Sequence, residues 1–306
     1  MDNLYFQVGT GWIPDQDDGR DYSFRHADVL EAAGPEFEGI QDRTAPETAD
    51  LTQWFPPVFS QGQSNSCTAQ AAAGIVSYYQ NRAYGKYTLA SRLFIYKSTR
   101  NLLFQAGDKG AYIRTTIGSL VTFGSPPEIY WPFDLRMIDA EPTPFCYAFG
   151  DEFRTLKYFS YEKDSNSTSE TLQKIKGALA AGVPSIFGFY LFPSMAAATA
   201  SGEIPFPEDG EMPQGGHAVV AVGYDDNKII AHPSSKRETK GAFKIRNSWG
   251  SNWGEQGYGW LPYEFVLQQL ASDWWSIISM SWFDAGEFGP EGQDSNKSRI
   301  KRKPQK

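Results

Sequence analysis

Cysteine and histidine are scarce in this chain. Cys67 and Cys146 are its two thiols, and His26, His217 and His232 its three imidazoles, among 306 residues. Two cysteines permit at most one intramolecular disulfide, which excludes a small scaffold held together by cystine bridges. There is no Cys-x-x-Cys or His-Glu-x-x-His spacing, so neither a zinc site nor any other metal is expected. No run approaches the length of apolar sequence that a spanning helix needs, so no membrane segment is expected. Positive charge is also short: 28 Lys+Arg stand against 36 Asp+Glu, a net charge of −8. Six of the basic residues crowd into the last ten positions, which leaves the body more acidic still. Such a body is a poor general binder of nucleic acid, because phosphate contacts need cationic surface. What the chain does have is 41% hydrophobic and 15% aromatic residues. That is enough for a packed core and excludes a disordered or collagen-like chain.

The length suits one large domain or two of about 150 residues each. Residues 1–7 read MDNLYFQ, similar to the tobacco-etch-virus protease recognition sequence with Asp2 where Glu is usual. They are set aside as a cloning remnant. Residues 8–44 are acidic, punctuated by Gly and Pro, and weakly periodic, an extended arm with at most one short helix around Ala27–Ala33. Helical spacings follow in residues 45–150: Cys67 to about Tyr84, Leu89 to Leu103, and a third through Ile113, Ile117 and Val121 that Gly124 and Pro126–Pro127 stop. From about Phe153 the texture changes to short β-type runs at 156–161, 185–192, 218–224, 229–231, 242–246, 258–261 and 274–282, interrupted by one helix at 170–181. A helical half (45–150) followed by a mostly antiparallel β half (151–283) predicts an α+β fold of two subdomains, with the boundary near Phe145–Glu152. Residues 284–306 read as a disordered basic tail.

Three pieces carry chemistry. Cys67 ends a loop, Ser60-Gln61-Gly62-Gln63-Ser64-Asn65-Ser66, that runs straight into an Ala-rich helix with Asn65 or Ser66 as its N-cap. A cysteine in the first turn of a helix feels the positive end of the dipole, which favours thiolate. His217 opens a hydrophobic strand directly after Gly215 and Gly216, where backbone or substrate can approach closely. Asn247 begins Asn-Ser-Trp-Gly, a loop carrying Trp249, Trp253 and several glycines. By contrast, Cys146 has aromatic neighbours and no helix start, so it reads as an inert buried thiol. His26 in the arm and His232 in a polar turn read as surface histidines. The sequons at Asn166 and Asn296 carry no meaning without secretion.

In the order Gln61, Cys67, His217, Asn247, these residues resemble the papain-like cysteine peptidases, and most closely their bacterial, archaeal and viral branch. Further matches are Gly11-Trp12-Ile13-Pro14-Asp15, Arg20-Asp21-Tyr22, Pro56-Pro57-Val58, Ser91-Arg92-Leu93-Phe94-Ile95-Tyr96 and Trp131-Pro132-Phe133. The similarity runs from about Gly11 to Trp275. Family members place His and Asn roughly 130–150 residues after the cysteine. Here His217 and Asn247 follow Cys67 by 150 and 180 residues, and residues 192–214 supply an insertion. Ser64 and Thr68 stand where eukaryotic members carry a disulfide cysteine and a Trp.

The resemblance implies a papain-like fold with a helical left subdomain, an antiparallel β-barrel-like right subdomain and the active site in the cleft between them. It implies a peptidase in which the Cys67 thiolate attacks the scissile carbonyl, paired with the His217 imidazolium and passing through a thioester. Asn247 would orient the ring and Gln61 would donate to the oxyanion. It further implies that Gly110 pairs with substrate backbone, that Gly188 and Ala218 line the pocket for the second residue before the cut, and that Trp249, with Trp253, shields the site. The expected partner is a peptide or protein substrate, with no cofactor, no nucleic acid and no membrane, in the cytoplasm. A peptide ligase using the same site, or an inactive binding module on the same fold, are the alternatives. The arm, residues 8–44, either occludes the cleft as an inhibitory prosegment or straps the enzyme away from it.

Overall fold

The computed structural model describes residues 9–33, 45–150 and 157–278. Thirteen consecutive residues, Cys67 to Tyr79, are buried. A helix buried on every side belongs to the core, and its run of Ala69, Ala71, Ala72, Ala73 and Gly74 keeps it thin enough for neighbours to close around it. The elements in chain order are α1 (Ala27–Ala33), β1 (Thr48–Asp50), α2 (Cys67–Tyr84), α3 (Arg92–Leu102), α4 (Ile113–Phe123) and α5 (Pro144–Gly150). There follow β2 (Lys157–Ser160), α6 (Thr168–Ala180), β3 (Ser185–Leu191), α7 (Ala198–Ser201), β4 (Gly215–Ala231), β5 (Glu238–Arg246), β6 (Tyr258–Pro262), α8 (Glu264–Leu267) and β7 (Ala271–Ile278). Helix α2 stops at Gly85, whose left-handed φ of 65° lets its N–H reach the Asn81 carbonyl.

Among the described residues the strands form one antiparallel sheet in the order β2-β7-β3-β4-β5-β6. The fold is therefore α+β, with helices α2–α4 in the first half and the sheet in the second. Two runs expected to be separate strands, 218–224 and 229–231, are one 17-residue strand with a register shift after Asp225. Its length leaves an edge beyond β3 that β1 fills, pairing Thr48 with Asp225 and Asp50 with Gly223. The three residues of β1 are too few to show alternation in sequence, and they tie the helical half to the sheet. Cys146 lies in α5, a helix not expected there, with Pro144 at its first position, where a missing N–H costs nothing. The expected subdomain boundary runs into this helix and then into residues outside the described ones. The expected tail, 284–306, and residues 1–7 also lie outside them.

The arm divides in two. Its later part packs on the outer edge of the sheet: Ser160 donates its N–H to the Tyr22 carbonyl, and Phe24 and Val29 are buried. Lys157 pairs with Asp28 of α1, whose span is the one anticipated. The earlier part, from Gly9, runs into the site described below.

One irregularity of the sheet matters for that site. Gly188 faces Ser272 and Ile186 faces Trp275, so β7 carries one residue more than β3 over this stretch. Asp273, at φ 58°, belongs to the bulge this creates. Bulges beside active sites re-aim a side chain. Directly after it, the fully buried Trp274 stacks on Phe187 with ring centroids 3.8 Å apart. Trp274→Ala should therefore cost about 3–5 kcal/mol, read as a lower midpoint of urea unfolding. An unchanged midpoint would show that this stack does not hold β7 to β3.

Candidate active site

The start of α2 is buried inside the molecule, and that places Cys67 against the first residues of β4. Backbone N–H groups of Ala218, Thr68, Trp12 and Cys67 itself face the sulfur. Ser66 caps the helix by position, although its hydroxyl bonds the Ser64 hydroxyl and the Gln70 side chain and no backbone N–H of the helix. Ala218 follows His217, whose ring is also fully buried. His217 Nε2 lies 2.8 Å from Asn247 Oδ1, and that same oxygen accepts the Ser248 N–H at 2.7 Å. The atom is thereby fixed as an acceptor, so Nε2 carries the proton and a neutral ring leaves its lone pair on Nδ1. Nδ1 has no hydrogen-bond partner among the described residues. Trp249 stacks on the His217 ring at 4.6 Å and Trp253 meets Trp249 edge-on at 5.6 Å, covering the His–Asn bond.

Gln61 is buried beside this pair. Its Oε1 accepts the Ser248 hydroxyl at 2.5 Å, which turns its NH2 toward the cysteine loop. Ser248 thus orients both Asn247 and Gln61, a role that its place in the Asn-Ser-Trp-Gly loop did not reveal in sequence. The Gln61 NH2 donates to the Ser64 carbonyl at 2.7 Å and to the Gly9 carbonyl at 2.9 Å. A backbone carbonyl of the arm therefore sits on the donor that would serve an oxyanion.

The arm continues along the cleft. Gly11 and Trp12 both donate to the Gly216 carbonyl, Ile13 N–H bonds the Ala111 carbonyl, and Ala111 N–H bonds the Gly11 carbonyl. Ala111 makes this backbone pairing, while the N–H of Gly110 goes to the Tyr96 hydroxyl. The Trp12 indole fills a pocket over Gly188 and Gly216: a Cβ added at Gly188 would lie 1.9 Å from its ring. Gly188 pairs with Ala218 on the same sheet. The floor is Asp273 from the β7 bulge, whose Oδ2 accepts the indole N–H and the Asp15 N–H, each at 2.8 Å. On the other side the arm lies close to the cysteine loop, since a Cβ at Gly9 would come within 1.8 Å of the Ser64 carbonyl oxygen and one at Gly11 within 2.2 Å of the Asn65 carbonyl oxygen.

Burial decides the protonation of the pair in this arrangement. It pushes the Cys67 thiol up to about 12 against the four N–H groups that favour thiolate. It pulls His217 down to about 4, against its bond to Asn247. Under the arm both groups are neutral. The remaining candidates lie elsewhere. Cys146 is buried with its sulfur near the Thr143 hydroxyl, a free thiol outside the cleft. His232 is buried, not on the surface as expected, with Nδ1 3.0 Å from Glu208 and Nε2 3.5 Å from Glu211. Among the described residues no His/Cys/Asp/Glu group has the arrangement of a metal site.

Comparison with known proteins follows this geometry. The family model for papain family cysteine proteases matches residues 45–265. An uncharacterised peptidase C1-like protein of Acanthamoeba polyphaga mimivirus is 33% identical over 242 residues, 76% of this chain and 74% of that protein. Falcipain-3 of Plasmodium falciparum is 26% identical over 209 residues, 66% of this chain but 37% of its own length. Xylellain, a cysteine protease from Xylella fastidiosa, superposes with a TM-score of 0.72 at 32% identity, covering 91% of this chain and 99% of that one. The digestive procathepsin L 3 of Tenebrio molitor shares the fold at a TM-score of 0.60 and 15% identity, over 89% of this chain and 76% of its own.

If the arm is what keeps Cys67 neutral, deleting residues 1–13 should raise its alkylation by iodoacetamide at pH 7 by at least tenfold. Peptide mass spectrometry separates Cys67 from Cys146, whose rate should stay the same. Equal rates at Cys67 with and without those residues would mean that the cleft itself, not the arm, suppresses the thiolate.

Proposed function

Because the chain belongs to the papain family of cysteine proteases, we propose that it hydrolyses peptide bonds at Cys67 and that its own N-terminal segment holds it latent. In the working state Cys67 is a thiolate and His217 an imidazolium. The thiolate attacks the scissile carbonyl, and the oxyanion takes hydrogen bonds from the Gln61 NH2 and the Cys67 N–H. His217 protonates the departing amine, leaving a thioester, and its neutral ring then activates water to release the acid. Asn247 holds the ring in plane through both proton transfers. A cysteine peptidase needs no bound cofactor for these steps.

The observation that carries latency is the Gly9 carbonyl on Gln61, with Trp12 in the adjoining pocket. A substrate cannot use the donor or the pocket while Gly9–Ile13 occupies them. Such docking is intramolecular, so its strength is an effective concentration that vanishes on cleavage or deletion. Proform structures are among those that share this fold, which supports reading the arm as a prosegment. The two roles weighed for the arm then fall to different stretches: Gly9–Asp15 occludes, and Tyr22–Ala33 straps.

Cys67→Ala should abolish hydrolysis of a peptide library with folding intact, whereas Cys146→Ala should leave it unchanged. In a chain lacking residues 1–13, turnover should rise, and Gln61→Ala should then lower kcat by about 10²–10³. Deleting residues 1–44 should lower the melting temperature as well, since it removes the buried Phe24 and Val29. Loss of activity in the Cys146 variant instead of the Cys67 variant would move the nucleophile. An added amine that diverts most product into transpeptidation would change the acceptor from water.

The arm also supports a preference. The pocket that Trp12 fills has glycine walls and a carboxyl floor that accepts an N–H. Sequencing of library products should show Trp or Tyr enriched two residues before the cut, and Asp273→Ala should weaken that enrichment. Small aliphatic residues at that position would count against it.

A further inference from the structure

The seat of the arm is unusual in its charges. Asp15, two residues beyond Ile13, is half-buried beside the buried Asp273 of the β7 bulge and near the half-buried Glu162, which follows β2. The three carboxyls line a cavity of about 350 Å³ together with Asp17, Asp21, Arg114, Lys163 and Trp275. Each receives N–H groups: Asp273 from Trp12 and Asp15, Asp15 from the Arg114 backbone, and Glu162 from the Trp274 backbone. The nearby cations are engaged elsewhere. Arg114 Nη2 goes to Asp21 at 2.7 Å and to the Gln16 carbonyl at 2.5 Å, and Lys163 goes to Asp17 and the Asp18 carbonyl. Docking the arm therefore brings its own carboxyl into a partly buried cluster that already holds two, with no side-chain ion pair to either Asp15 or Asp273 among the described residues.

Resting on the reading that Gly9–Ile13 occludes the cleft, we propose that this cluster makes the arm a pH latch. Docking takes up protons at Asp15, Asp273 and Glu162, so the cleft closes in mildly acid solution and opens as the pH rises.

The sign follows from the direction of the shifts. With the arm docked, burial and then the neighbouring Asp273 push Asp15 up to about 7. Burial and Glu162 push Asp273 up to about 6, while burial pushes Glu162 up to about 7. Once the arm leaves, Asp15 is an ordinary exposed carboxylate and the other two meet water. A group whose docked pKa is raised strengthens docking fully below its free value, and that contribution disappears as pH rises through the docked value. The window is thus about pH 4 to 7. Within it, the undocking constant grows about tenfold per pH unit for each proton released. Lys163 holds Asp17 and Arg20 holds Asp18 below the usual carboxylate range. Burial raises Asp21 despite Arg114, but Asp21 lies beyond the Gly9–Asp15 segment whose undocking is read, so the inner three carry the effect.

Hydrogen exchange of the full-length chain, carrying Cys67→Ala to prevent self-cleavage, reads undocking directly through the Gly9–Asp15 amides. After correction for intrinsic exchange and for a reference peptide in α2, the opening constant should rise by at least tenfold per unit from pH 5 to 7, and more steeply where more than one of the three protons is released. It should level off above that. Asp15→Asn should make the slope shallower by one proton, about tenfold less per unit, and leave the segment better protected at pH 8 than in the unsubstituted chain. Protection that does not change with pH would overturn the latch and leave the occlusion reading standing. Absence of protection at every pH would overturn occlusion itself. An undiminished slope in the Asp15→Asn chain would show that Asp15 is not the group that couples docking to protons.

Discussion

A buried guanidinium holds the catalytic pieces together. Arg246, at the end of β5, reaches past the β sheet to donate to the carbonyls of Pro56 and Pro57. It also lies against Gly74 in the middle of α2, where a Cβ would meet Nη1 at 3.0 Å. One side chain thus touches the helix that begins with Cys67, the segment that leads to Gln61 and the strand that ends one residue before Asn247. A charge placed so deep has to be satisfied by hydrogen bonds, and here the satisfying groups are backbone carbonyls near the site. The elements that carry three candidate catalytic residues thus share contact with one buried side chain.

The cleft that results depends on missing side chains. Gly188 and Gly216 line it so closely that any Cβ would collide with the Trp12 ring. Those absences make room for the arm, and the arm in turn removes water from Cys67 and His217. The proposed latency is an electrostatic state as well as a steric one. Desolvation disfavours both members of a thiolate–imidazolium pair, so a covered site is held neutral by the same contact that blocks it. The carboxyl cluster at the far end of the docked segment works in the opposite sense to a clamp of ion pairs, because it is most comfortable when partly protonated.

The second arm segment is a different kind of element. Phe24 packs edge-on against Phe159, and Ser23 bridges to Ser160, so this stretch completes the sheet's outer layer. Residues 9–15 are held mainly by backbone hydrogen bonds, one indole and one carboxylate. Regions held by few buried apolar contacts open at lower free energy than the core. The division between an occluding stretch and a strap reflects that difference in buried apolar surface.

Much of this was legible from residues alone. The Ala-rich run after Cys67, the strand after His217 and the α1 span at Ala27–Ala33 follow from periodicity, which records which side of an element meets the core. The order Gln61, Cys67, His217, Asn247 marked the chemistry and the family. Other features depend on partners distant in sequence. The three residues of β1 become a strand because β4 outreaches β3, and α5 forms where its aromatic residues find Tyr130. His232 is buried because Glu208 and Glu211 fold over it. Ser248 acquires its orienting role only when Gln61 arrives beside it. The backbone pairing with the arm is made by Ala111, one residue past Gly110, a matter of register that this short stretch of sequence did not reveal. By itself the sequence nominated the residues that would carry the chemistry, since the signals of a nucleophile, a base and their local elements are written in short stretches. Only the tertiary structure decided where the arm lies and what charge it meets, because Asp15 and Asp273 are neighbours across 258 residues of chain.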